Sequence, residues 1–162
     1  MAKTKIILTP NKSILDNFFE TDTSNFVFNF AQPDFSEIVV MSSLISYYHP
    51  DAIVHIPEVR VPIKTKTPDF LINDTSYEIK TPTSMNGVCG LFRKAKTQTK
   101  CDGYIVFELM NMRNAPPLRT CVKQIMNICT RRKKKHIIIT CHGNILFMTK
   151  PSPCPLLSKS LA

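Results

Sequence analysis

Three side chains near the middle of the chain, Asp69, Glu78 and Lys80, have types and spacings that could handle a divalent cation and a phosphate. They lie in the stretch 66–82, K-T-P-D-F-L-I-N-D-T-S-Y-E-I-K-T-P, which reads as a strand, a tight turn and a second strand. Pro68 and Pro82 punctuate the outer ends, and Asn73-Asp74 supplies residues that tolerate positive φ where a hairpin reverses. Alternate residues of a strand share a face, so Glu78 and Lys80 point one way while Tyr77 and Ile79 point the other. With Asn73-Asp74 at the centre of an even turn, Asp69 falls opposite Glu78; an odd loop would put it on the wrong face. The even register gathers two carboxylates and an ammonium on one side of the hairpin.

Two close carboxylates repel each other, and a proton, a cation or separation must relieve the repulsion. Mg²⁺ takes a few carboxylate oxygens together with waters and substrate phosphates, and a bound metal makes water a better nucleophile while stabilising charge on phosphoryl oxygens. A lysine beside such a site can orient the water or neutralise the phosphate. The pattern therefore points to metal-dependent phosphodiester cleavage. The competing reading is an ordinary polar strand face on which Lys80 is simply paired with Glu78 or Asp69.

The elements that must position these groups come from one globular domain: 162 residues, 43% hydrophobic, without a low-complexity tract. No apolar run approaches the roughly 20 residues that span a bilayer, and the N-terminal segment is broken by Pro10 too early for a signal peptide. The expectation is a soluble, cytoplasmic chain with no membrane partner. Six cysteines are scattered singly, without the paired spacing of a structural zinc site, and read as reduced thiols.

In chain order, the sequence predicts a short strand or arm over 5–8, a helix over 11–20 with Ile14, Leu15, Phe18 and Phe19 as its apolar stripe, and an extended Phe26-Phe28-Phe30 segment. A helix from Pro33 or Ser36 to about Tyr48 follows, with Ile38, Val39, Met41, Leu44, Ile45 and Tyr48 on its buried side. A strand over 52–59 precedes the central hairpin. Next come a helix over 86–100, weakened at its start by Gly87 and Gly90, and a dense apolar strand over 104–110. An amphipathic helix after Pro116-Pro117 leads to a second hairpin turning at His142-Gly143-Asn144, with His136 and His142 read as structural.

Charge is divided unevenly along the chain. Residues 93–135 carry twelve basic and two acidic side chains, whereas residues 1–92 carry seven basic and ten acidic ones. An acidic centre in the first half and a basic surface in the second suit a polyanion, with Arg93, Lys94, Lys96, Lys100, Arg131 and Arg132 as the candidate nucleic-acid contacts. For Arg131 to Lys135 alone, a solubilising charge run is the competing reading.

Taken together, Pro68-Asp69 and E-I-K at 78–80 on consecutive strands, in a helix-strand-strand-strand-helix-strand order, resemble the PD-(D/E)XK nuclease superfamily. More narrowly, T-P-D-F-L-I, Y-E-I-K-T-P and the R-K-A-x-x-Q helix resemble the tRNase toxin domains at the C-terminus of bacterial contact-dependent inhibition proteins, over roughly 35–148. Because the sequence starts at Met1, the expectation is a departure from that toxin pattern, with no delivery region. The resemblance implies an α/β (α+β, mixed-sheet) fold with a restriction-endonuclease-like αβββαβ core at 33–149. An N-terminal helical extension (1–32) would pack on it, the core would end in a helix plus β-hairpin, and an irregular tail (150–162) would follow.

It further implies an Mg²⁺- or Mn²⁺-dependent endonuclease. Asp69 and Glu78 would hold metal, Glu37 would be a supporting carboxylate, Lys80 would position or activate water, and Gln98 would orient the substrate or the lysine. Glu58 is a weaker second-metal candidate, more simply read as an edge charge beside Arg60. tRNA is the favoured substrate and a cognate immunity protein an implied partner. The alternatives are a DNA endonuclease of the same superfamily and a nucleic-acid-binding module that does not cut.

Overall fold

The central hairpin folds in the even register: Phe70 pairs with Tyr77, Leu71 with Ser76 and Ile72 with Thr75. Asn73 and Asp74 form the turn, both at positive φ (48° and 67°), as a two-residue turn matched to the strand twist requires. The computed structural model describes residues 3–63, 65–99, 102–134 and 136–149, so the expected tail over 150–162 and Lys100 lie outside the described residues.

In chain order the elements are β1 (Lys5–Ile7), α1 (Lys12–Phe19), β2 (Val27–Asn29), α2 (Phe35–Tyr48), β3 (Ala52–His55), β4 (Glu58–Val61), β5 (Phe70–Ile72) and β6 (Thr75–Lys80). They continue with α3 (Val88–Gln98), β7 (Tyr104–Glu108), α4 (Leu118–Arg131), β8 (Ile137–Cys141) and β9 (Asn144–Met148). The main sheet has seven strands in the order β1-β3-β5-β6-β7-β8-β9, and β2 and β4 form a separate pair. Strands β6, β7 and β8 run parallel, and antiparallel pairs join β3 to β5, β5 to β6 and β8 to β9. This is the mixed-sheet α+β fold that the resemblance implies.

Alternation divides the sheet into two buried faces. Tyr77 and Ile79 pack with Val40, Met41 and Leu44 of α2. Ile105, Phe107, Ile137 and Ile139 pack with Phe92 and Ala95 of α3 and with Cys121 and Ile125 of α4. A column of stacked rings, Phe70 on Tyr77 at 5.3 Å and Tyr77 on Tyr104 at 5.2 Å, crosses three neighbouring strands and fixes the hairpin against the rest of the sheet.

Three local expectations need correction. The strand read over 52–59 is two strands in different sheets, because Pro57 has no amide hydrogen for a ladder and the chain leaves the main sheet there to pair with β2. On α2 the buried positions are Val40, Met41 and Leu44, whereas Ile38 is 48% exposed. The helix expected over 86–100 begins as a 3-10 turn, Met85–Gly87, capped by Ser84, and only then becomes α3. The N-terminal segment contributes β1, an edge strand of the main sheet parallel to β3. Among the described residues no helix is long and apolar enough to cross a membrane, and the four described cysteines are free.

Candidate active site

Five element ends meet at one end of the sheet. Asp69 enters β5, Lys80 ends β6, His55 ends β3, Glu37 sits in the first turn of α2 and Gln98 ends α3. The site therefore inherits its geometry from the β5–β6 register. Asp69, one residue beyond the Phe70–Tyr77 pair, lies across from Glu78, and its Oδ2 accepts from the Ile79 amide at 2.7 Å. Glu78 and Lys80 share a face, and the Lys80 ammonium lies 2.6 Å from Glu78 Oε1.

Lys80 is held from two sides. Its Nζ also donates to Gln98 Oε1 at 2.9 Å, and the Gln98 amide nitrogen reaches the Thr67 carbonyl at 3.4 Å. Gln98 thus ties α3 to the loop that delivers Asp69. The four side chains drawn from 66–98 by sequence come together, and Glu37 joins them from α2. Its role there is double. Asp34 and Glu37 form a capping box in which Asp34 Oδ1 accepts from the Glu37 amide at 2.8 Å and Glu37 Oε2 accepts from the Asp34 amide at 2.6 Å. The other oxygen, Oε1, lies 3.4 Å from Nε2 of His55.

His55 is the residue that sequence reasoning missed. It is 7% exposed and lines, with Glu37, Glu58, Thr67, Asp69 and Gln98, a cleft of about 290 Å³. No local signal marks it, because its carboxylate partner lies 18 residues upstream on another element. Glu58 is exposed at the start of β4 on the cleft wall. The histidines noted by sequence stand apart from this cleft: His136 packs beside the Tyr104 ring at 5.1 Å, and His142 is an exposed turn residue at φ 49°.

The electrostatics are those of crowded, buried carboxylates. Burial, with the negative charge of Glu78, pushes Asp69 up to about 9, against the pull of the Ile79 amide. Burial likewise raises Glu78, which Lys80 opposes. Burial also opposes ionisation of Glu37, yet the hydrogen bonds from His55 and the Asp34 amide hold it below its ordinary range. Glu78 is 2% exposed, and its Oε2 is buried without a hydrogen-bond partner.

An unpaired buried carboxylate oxygen beside a second, charge-repelled carboxylate is hard-oxygen donor chemistry, so Asp69 and Glu78 fit a divalent cation. Among the described residues, however, no group of three or more His, Cys, Asp or Glu side chains is arranged to hold a metal. Glu37 is engaged by its helix cap and by His55, and one oxygen of Glu78 is engaged by Lys80.

The candidate polyanion contacts divide in two. Arg93, Lys94 and Lys96 project from the exposed side of α3, and Arg131 is exposed at the end of α4. Arg132 is half-buried, with its guanidinium 2.9 Å from Cys89 Sγ, so it bridges α3 and α4 rather than standing free.

Residues 66–145 match the family model of the contact-dependent growth inhibition CdiA C-terminal domain. That span is just under half of the chain. It contains Asp69, Glu78, Lys80 and Gln98 and runs from the loop before β5 into β9, leaving Glu37 and His55 outside. The match is to the contact-dependent inhibition family and does not extend to the PD-(D/E)XK superfamily. No curated protein and no solved structure matches the chain.

Proposed function

We propose that the chain is a metal-dependent endonuclease of the PD-(D/E)XK kind, cutting phosphodiester bonds in RNA, with tRNA as the favoured substrate, and acting as a toxin module. The observation that carries this reading is the Lys80 ammonium held between Glu78 and Gln98, with Asp69 across the hairpin, all inside the residues that match the CdiA C-terminal domain. In this reading Asp69 and Glu78 hold Mg²⁺ or Mn²⁺. The ion supplies charge neutralisation on the phosphoryl oxygens and a more acidic water.

The remaining steps belong to the chain. Lys80, positioned by Gln98, donates a hydrogen bond to the attacking water or to a phosphate oxygen, where its charge offsets the negative charge that builds in the transition state. Glu37 acts as a positioning residue, fixed by His55, and would join the ligands only by turning away from its cap. The basic side of α3, with Arg93, Lys94 and Lys96, draws in the backbone of the nucleic acid. A module of this family also implies a cognate immunity protein as partner, and substrate and site together suit a cytoplasmic place of action.

Purified protein incubated with total tRNA, plasmid DNA and single-stranded DNA, with Mg²⁺, Mn²⁺ or EDTA, tests the reading. Cleavage of tRNA that EDTA abolishes is expected, and cleavage of DNA alone would move the assignment to a DNA endonuclease. One observation favours a second reading, a binding module without cleavage: the Lys80 ion pair occupies Glu78 Oε1 and leaves only Oε2 of that carboxylate to a metal. Binding of tRNA with no cleavage under any divalent metal would establish it in place of the enzyme.

A further inference from the structure

Parallel strands β6 and β7 deliver two loops to the same end of the sheet, one just beyond Lys80 and the other beyond β7 and the 3-10 turn Leu109–Asn111 that follows it. The loops are stitched together where the Arg113 amide donates to the Thr83 carbonyl at 3.0 Å. Between them lies a cleft of about 410 Å³, separate from the one at Asp69, whose polar lining is Thr83, Ser84, Asn86, Arg113 and Asn114.

The lining offers two hydroxyls, two carboxamides and a guanidinium, and no carboxylate. The Arg113 side chain forms no ion pair with any described residue, and it is exposed on the cleft wall. Ser84 Oγ accepts from the Gly87 amide at 3.3 Å, which leaves its hydroxyl hydrogen free to donate. Donors lining one cleft beside a planar cation that has no ion pair among the described residues suit a phosphate oxygen, since a guanidinium recognises phosphate through two parallel N–H bonds. Thr83 is three residues from Lys80, a backbone reach of at most about 10 Å, so the cleft opens beside the strand end that carries Lys80.

We infer that this cleft is a second subsite for the same nucleic-acid strand, in which Arg113 binds a backbone phosphate flanking the one presented to Lys80. The inference rests on the endonuclease reading and deepens it. It accounts for a built, cation-bearing cleft that the catalytic cluster does not use. It also gives the enzyme a means of holding the strand on both sides of the cut, so that the scissile phosphate is positioned rather than merely attracted.

The test compares wild type with Arg113→Ala and Arg113→Lys, using a fluorescent dinucleotide and a longer fluorescent oligoribonucleotide. Binding is read by anisotropy in EDTA across a salt series, and cleavage is read with Mg²⁺. In the alanine variant, the affinity advantage of the longer strand over the dinucleotide should shrink roughly tenfold, the scale of one charge-assisted contact. The slope of log K against log salt should fall by about one phosphate's worth, with partial recovery in the lysine variant. Thermal melting checks that the variants fold. If wild type binds and cuts the longer strand while Arg113→Ala keeps its affinity, length preference and salt slope, the subsite is wrong and the endonuclease reading stands. If wild type binds neither strand, the subsite is wrong, and the tRNA and plasmid assays decide the endonuclease reading separately.

Discussion

Replacing Asp69 by Asn should stabilise the metal-free protein while abolishing cleavage. An acid whose pKa is raised by folding favours the folded state below its unfolded value, 3.8 here, and penalises it progressively as the pH climbs toward about 9. At pH 7 the penalty covers about three units, each worth about 1.4 kcal/mol, for a ceiling of roughly 4 kcal/mol. Asp69 keeps some solvent exposure, so water screens part of that charge; the pull of the Ile79 amide is already contained in the value of about 9. A net gain of about 1–3 kcal/mol at pH 7 is therefore expected, or a few degrees in Tm for a chain of this size. Asn retains an oxygen that can accept from Ile79, so the substitution removes the charge and keeps the hydrogen bond.

The assay is urea denaturation of both proteins in EDTA at pH 5, 7 and 8.5, followed by the same series with Mg²⁺. The midpoint of the variant should exceed that of wild type by a margin that widens with pH. Mg²⁺ should then stabilise wild type more than the variant, because a ligand stabilises in proportion to its affinity for the folded site. A variant equal to or less stable than wild type at pH 7 in EDTA, or a difference that ignores pH, would refute the crowded-carboxylate account of the site.

Other expectations can be checked with the same preparations. Lys80→Ala strips Glu78 of its counter-charge, so stability in EDTA should fall at neutral pH and Mg²⁺ should restore more of it than in wild type, while tRNA turnover drops by orders of magnitude. A Lys80→Ala enzyme that cuts at the wild-type rate would remove Lys80 from the mechanism. Glu108 is fully buried and accepts from the amides of Met110, His142 and Gly143 at 2.8, 3.2 and 2.8 Å. Glu108→Ala should therefore destabilise by roughly 3 kcal/mol or more, and a Tm unchanged in a differential scanning experiment would contradict that role. Reversing Arg93 and Lys94 to Glu should weaken tRNA binding and flatten its salt dependence with little change in the melting curve, since both are exposed.

The parts of the site that sequence makes legible are those whose partners are neighbours along the chain. Asn73-Asp74 sets the turn, the turn sets the register, and the register sets Asp69 against Glu78 with Lys80 on the same face. Each step involves residues fewer than a dozen positions apart and a backbone rule that tertiary packing did not override. The R-K-A-x-x-Q helix delivers Gln98 for a similar reason, because a short loop after β6 leaves α3 little choice but to pack across the strand it follows. Pro57 marks the break between β3 and β4 in the sequence itself, but Ile56-Pro57 sits inside an otherwise apolar run that reads as one strand.

Glu37 shows why the remainder was not legible. From sequence it is a carboxylate on the preceding helix, available to a metal; in the structure its Oε2 satisfies an amide at the start of α2 and its Oε1 faces His55. The capping half of that is readable, because Asp34 with Glu three residues later is a helix-start pattern. The His55 half is not, because it depends on β3 ending beside the first turn of α2. The consequence is mechanistic: Glu37 can enter a metal's ligand shell only by giving up a capping interaction of order 1 kcal/mol and its histidine contact. If the ion draws it in, the first turn of α2 must loosen as the site fills. The Asp34 amide should then exchange with solvent faster in Mg²⁺ than in EDTA, and slower exchange with metal would leave Glu37 as a cap and Asp69 with Glu78 as the whole carboxylate complement.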